Sequence, residues 1–103
     1  MLNYKLWKLQ RRLDRIEKTY ADLYRKAESG EKRDQVYAEF VAEKDSVEED
    51  INSEITRSLI AKARRWYLPV PDDKEPGIWK RTPNGRYLTP AGVSRVRTLL
   101  REE

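Results

Sequence analysis

Leu2, Leu6, Leu9, Leu13, Ile16, Tyr20, Leu23 and Ala27 follow one another at alternating steps of four and three. That spacing puts all of them on one stripe of an α-helix and is the heptad signature of a coiled coil. No other feature constrains the fold as strongly. The intervening residues are mostly charged, so a lone helix would leave its apolar stripe in water, and the stripe needs a partner. Apolar residues make up 38% of the chain and charged residues 39%. That balance suits a narrow seam better than a thick globular core.

The next segment supplies the partner. The first helix should stop near "ESGEK", with Gly30 in the left-handed position just past its end. A second helix is predicted from about Lys32 to about Tyr67. It carries Tyr37, Phe40, Val47, Ile51, Ile55, Leu59, Ala63 and Trp66. Lys44 interrupts this stripe, although its stem can pack while the amine reaches water. From Val47 to Ala63 every step is four, which locally unwinds a supercoil. Pro69 and Pro71 end the helix. A short turn makes the two helices antiparallel. Tyr20 should then face Phe40, Leu13 Val47, Leu9 Ile51, Leu6 Ile55 and Leu2 Leu59. Charge agrees: residues 1–26 carry a net +5, residues 27–55 a net −7 and residues 56–103 a net +6. The arginines of "LQRRLDRIEK" are therefore read as a solvated face matched to the acidic partner helix, ahead of a nucleic-acid site.

The end of the second helix, "IAKARRWYLPVP", overhangs the first and needs cover. Residues 69–103 provide it. "DDKEPG" reads as a turn-rich linker, and "IWKR" and "RYLT" as short strands joined by "TPNG". Pro83 suits a type I turn and Gly85 a following left-handed residue, giving a bulged hairpin. Thr89 is a good N-cap and Pro90 a good first helical residue. Leu88 and Val93 have the spacing of a hydrophobic staple. Val93, Val96, Leu99 and Leu100 make one apolar stripe. Trp66, Tyr67, Trp79 and Tyr87 are expected to cluster as core, with a small-ligand pocket as the second reading. The expected fold class is mainly α: a long antiparallel coiled-coil helical hairpin over residues 1–68, then a short β-hairpin and a C-terminal helix over residues 69–103, packed as one folding unit.

The chain has no His and no Cys. Ser-His-Asp and Cys-His catalysis and His-based metal sites are excluded within it, and nothing requires an oxidising compartment. There is no phosphate loop or dinucleotide fingerprint. Glu48, Glu49 and Asp50 point in three directions on a helix, which makes no metal cage. The chain is read as a non-enzyme with no metal and no cofactor. It has no apolar run of ~20 residues and no signal-peptide core, so neither a membrane span nor a leader is expected within it. "RTLLREE" carries no helix-stop signal, which leads to the expectation that the last helix stays open and the chain continues.

Two resemblances meet at "YLTPAGVSRVR". "NGRYLTPAGVSRV" resembles the end of a winged-helix domain, where a wing strand reads Tyr-x-Leu-Thr-x-x-Gly. Here Tyr87, Leu88 and Thr89 lead through Pro90 and Ala91 to Gly92, and the resemblance implies DNA binding. Trp79, Tyr87, Leu88, Thr89, Pro90, Gly92, Arg97, Arg101 and Glu102, set behind a charged helical hairpin and a Pro-rich joint, resemble small uncharacterised bacterial proteins. In those a basic helix often runs on into membrane segments. That resemblance implies a cytoplasmic domain at the inner face of a membrane and no known activity.

The leading functional expectation is a non-enzymatic coiled-coil protein-interaction module, the cytoplasmic part of a membrane-associated bacterial protein. A winged-helix-like DNA-binding protein is the alternative. Trp7, Arg86, Arg95, Arg97 and Arg101 are the candidate interaction residues. The expected partner is another protein or a second copy, with a dimer formed through Trp7. A membrane surface would be met by the C-terminal basic helix, and nucleic acid ranks behind both.

Overall fold

The computed structural model describes residues 3–83 and 85–101. Leu2, Asn84 and Glu102, which enter the reading above, lie outside them. The chain runs α1 (Tyr4–Lys26), α2 (Gly30–Arg65), β1 (Trp79–Thr82), β2 (Gly85–Leu88) and α3 (Pro90–Leu100). This is the mainly α order expected: two long helices packed on each other, then a β-hairpin and a helix. It falls into two compact units, residues 1–51 and 52–103.

In the first unit each helix has its own polar cap. The Asn3 side chain accepts the backbone N–H of Leu6 at 3.1 Å and starts α1. Ala27 ends α1 in an extended conformation (φ −65°, ψ 131°). The Ser29 hydroxyl then accepts the N–H of Lys32 at 3.2 Å, and its carbonyl accepts that of Arg33 at 3.0 Å. Gly30 is therefore the first residue of α2 and not a left-handed terminator of α1. The serine cap lets the chain restart directly, so no left-handed residue is needed.

The predicted seam is present. Leu13 and Val47 are buried, and the rings of Tyr20 and Phe40 lie 5.8 Å apart, as an antiparallel pairing requires. The seam opens towards the turn, where Leu23 and Tyr37 are 45% and 60% exposed. Val36, one position earlier, is half-buried instead, while Tyr37 leans on Phe40 at 6.4 Å. The ion pairs seen in this unit join Asp22 to Arg25 and Lys26, and Lys44 to Glu48, each within one helix.

The second unit is built on the C-terminal turns of α2. Leu59, Ile60, Ala63, Ile78, Leu88 and Val96 form its core, with Ile55, Leu68, Val70, Trp79, Val93 and Leu100 packed around them. The apolar overhang is thus covered by the module that follows it. α2 ends differently from the expectation. Leu68 donates its N–H to the Ala63 carbonyl (2.9 Å) and Tyr67 to that of Arg64 (3.1 Å), the paired bonds of a Schellman motif. Tyr67 takes the left-handed position (φ 56°). Leu68 turns back into the core, which leaves Trp66 68% and Tyr67 94% exposed. The expected aromatic cluster does not form. Among the described residues the ring contacts are Tyr4–Trp7, Tyr20–Phe40 and Tyr37–Phe40.

The hairpin is tighter than predicted. Thr82 pairs with Gly85 and Trp79 with Leu88, so only Pro83 and Asn84 connect the strands and there is no bulge. Gly85 absorbs the reversal at φ +143°, a value few other residues adopt. One hydroxyl ties this hairpin to α2. Thr56 Oγ1 donates to the Asn52 carbonyl (2.8 Å) and accepts the N–H of Leu88 (2.7 Å). Both Thr56 and Leu88 are buried, so this bond satisfies a strand N–H that would otherwise carry a desolvation cost.

α3 starts as predicted. Thr89 Oγ1 accepts the Gly92 N–H at 3.1 Å, and Pro90 follows the cap. Gly92 has a reason the sequence did not give. A Cβ there would lie 2.4 Å from the carbonyl oxygen of Ile78 and 3.0 Å from a Leu88 methyl. Ile78 and Leu88 set its size. The other end of α3 is closed. Arg101 adopts φ 58°, ψ 33° and donates its N–H to the carbonyls of Arg97 and Thr98. The helix is therefore not left open at Leu100.

Candidate interaction surfaces

The outward face of α1 lies opposite its seam. Tyr4, Lys8, Arg11, Arg15 and Lys18 recur at steps of four, three, four and three, and Trp7 sits one turn before Arg11. Tyr4 and Trp7 are 62% and 45% exposed. Their rings stack at 5.8 Å with 18° between planes. The Lys8 ammonium lies 5.1 Å from the Tyr4 ring and the Arg11 guanidinium 5.2 Å from that of Trp7, so cation–π contacts hold both cations against the aromatic pair. Lys8, Arg11, Arg12, Arg15 and Lys18 make no ion pair among the described residues. Trp7 is thus exposed beside cations that make no ion pair among the described residues.

The complementary charge lies on α2 in the same unit. Glu31, Asp34, Glu39, Asp45 and Asp50 are exposed and likewise form no ion pair among the described residues. Ala38 and Ala42, also exposed, interrupt the acids with side chains small enough for another helix to approach. Two acids near the opened end of the seam act locally. Partial burial pushes the Tyr20 phenol above its ordinary value, and its hydrogen bond to Glu43 adds to this, with the charges of Glu43 and Glu39 behind it.

The C-terminal arginines divide into two groups. The Arg86 guanidinium lies over the Trp79 ring, 4.2 Å from its centre, and pairs with Asp73, which also faces Arg81 at 3.8 Å. Arg95 pairs with Glu75. The segment read as a linker is therefore the source of the carboxylates that neutralise two of the four candidate arginines. Arg97 and Arg101 are exposed and make no ion pair among the described residues. They sit at the C-terminus of α3, where a cation is favoured by the helix dipole. Trp7 and the arginines of the module belong to different units. Sequence reasoning missed Thr56, Asp73 and Glu75, because nothing local marks a mid-helix Thr or a loop acid as the partner of a distant residue.

No family model, curated protein or solved structure matches the chain. Among the described residues no helix is long and apolar enough to cross a membrane, and no group of three or more His, Cys, Asp or Glu is placed to hold a metal ion.

Proposed function

We propose that this chain is a non-enzymatic interaction module that associates with a second copy of itself. The outward face of α1 would dock on the acidic outward face of the other copy's α2, and reciprocally. The observation that carries the reading is the exposed Tyr4–Trp7 stack beside Lys8 and Arg11, which make no ion pair among the described residues. Two charged faces on one unit repel in like-to-like contact and attract in unlike contact, which selects α1 against α2 rather than α1 against α1. The rings already cover one another and carry cations on their faces, so stacking of nucleic-acid bases is less well served than a helix-on-helix contact. The winged-helix reading is served less well again, since Arg86 and Arg95 are engaged by Asp73 and Glu75.

A place in the cytoplasm beside a membrane remains the second part of the proposal. Arg97 and Arg101 are the cations that would meet anionic headgroups, and cosedimentation with anionic vesicles tests it. The interaction reading is tested by molar mass in solution. Wild-type protein is expected to approach twice its monomer mass as concentration rises, and Trp7→Glu to remain monomeric at the same concentrations. A wild-type chain that stays monomeric throughout refutes self-association.

A further inference from the structure

The second unit contains a concavity of about 280 Å³ lined by Ser53, Thr56, Arg57, Ile60, Ala61, Arg64, Trp79 and Arg86. Three of these are arginines, and none is a carboxylate. Arg57 and Arg64 are two turns apart on α2 and so share a face, and Arg86 comes from β2. Guanidinium groups gathered around one hollow repel one another unless opposite charge is supplied. For two of them the chain supplies it from outside the lining. Glu54, itself buried, holds Arg57 at 2.6 Å, and Asp73 holds Arg86. Arg64 makes no ion pair among the described residues. One positive charge at this hollow is left over.

The hollow is also preorganised. The Trp79 indole donates to the Pro71 carbonyl at 3.3 Å, which fixes the ring. The Arg86 guanidinium lies over that ring at 4.2 Å and is held by Asp73, so it presents donors with little further ordering cost. The Thr56 hydroxyl is occupied by Asn52 and Leu88. The Ser53 hydroxyl remains as a neutral donor beside the cations. Because Arg86 covers the indole, the floor offers no open aromatic face to a base or ring. Planar donor forks facing an acid-free hollow match the oxygens of a phosphate group.

We propose that the hollow formed by Arg57, Arg64 and Arg86 over Trp79 binds a phosphate group, with Arg64 as the cation the ligand neutralises. The ligand is a free phosphate compound or the headgroup of an anionic phospholipid; both present the same oxygens. The test uses the full chain. Calorimetric titration with pyrophosphate at constant ionic strength should give saturable binding, and Arg64→Gln, a change at an exposed side chain, should weaken it roughly tenfold to a hundredfold. Lys32→Gln, at an exposed position of the first unit, should leave it unchanged. Vesicles containing phosphatidic acid separate the two sources. Vesicle binding that pyrophosphate displaces and Arg64→Gln abolishes assigns the headgroup, and pyrophosphate binding without vesicle binding assigns a free compound. Equal heats for pyrophosphate and sodium chloride at matched ionic strength overturn the site, as does undiminished binding by Arg64→Gln. Binding seen only with duplex DNA, undisturbed by pyrophosphate, also overturns it.

Discussion

Replacing Gly92 by Ala sets two opposed effects against each other, and the structure decides between them. Within a helix, Ala is favoured over Gly by about 1 kcal/mol because it restricts the unfolded chain. Here the added methyl would lie 2.4 Å from the Ile78 carbonyl oxygen, a backbone atom, and 3.0 Å from a Leu88 methyl. The oxygen cannot retreat easily, because it accepts the N–H of Thr89 at 2.9 Å, a bond that docks the start of α3 on the strand entrance. Overpacking of this kind costs about 1–3 kcal/mol, and loosening one hydrogen bond adds about 1 kcal/mol. Set against the helix gain, the net loss is about 1–3 kcal/mol. Urea denaturation of Gly92→Ala beside Gly30→Ala isolates the effect. Gly30 has nothing within 4 Å of its would-be Cβ and opens α2, so its alanine variant should be neutral or more stable by up to about 1 kcal/mol. If Gly92→Ala is as stable as Gly30→Ala, the close approach of α3 to Ile78 is wrong.

Further outcomes follow from the same geometry. Thr56→Val keeps the shape but strips the acceptor from the buried N–H of Leu88; it should lose about 1–3 kcal/mol in denaturation, while Thr56→Ser loses much less. Tyr67→Gly should raise the melting temperature, with a gain of about 0.5–1 kcal/mol, because glycine adopts the left-handed conformation without the strain a tyrosine bears there. Hydrogen bonds from Lys26 and Arg25 hold the Asp22 carboxyl below its ordinary 3.8. Its folded value is depressed, so its contribution is complete above pH 3.8 and is lost as the pH falls towards the folded value. Asp22→Asn should remove that acid-side slope from a stability–pH curve. The Tyr20 phenol is raised above 10.0, so tyrosinate absorbance on alkaline titration should show it ionising above pH 10.0, and Tyr20→Phe should remove that step.

What could be read from the sequence was whatever repeats locally. The α1 seam, the capped start of α3 at Thr89 and Pro90, and the order of elements follow from periodicity and cap chemistry, and the structure has them. Helix ends were less legible, because several solutions compete there. Ser29 caps α2 where Gly30 looked like a terminator, and Tyr67 with Leu68 closes α2 where the prolines looked sufficient. Aromaticity misled at Trp66: a large apolar side chain at the right spacing was read as core, but Leu68 fills that place. Trp7, a candidate from the sequence, is exposed at 45%. The fate of Arg86 and Arg95 was not legible, because it depends on carboxylates 13 and 20 residues away. Net charge per zone implied that the helices neutralise one another; the pairs of Asp22 and of Glu48 form along one helix, and the outward cations Lys8, Arg11 and Arg15 of α1 and acids Asp34 and Asp45 of α2 make no ion pair among the described residues.

A charge exchange between the two helices tests the central claim most directly. Arg11→Glu with Arg15→Glu makes an α1 face that should no longer fit an acidic α2. Asp34→Lys with Asp45→Lys makes an α2 face that should no longer fit a basic α1. By sedimentation equilibrium each doubly substituted chain should dimerise more weakly than wild type on its own. Mixed in equal amounts, the two should recover a dimer, with one contact whose charges are both reversed and one whose charges are native. Masses identical to wild type for each variant alone, or a mixture that stays monomeric while wild type dimerises, would contradict the pairing of α1 with α2 between copies.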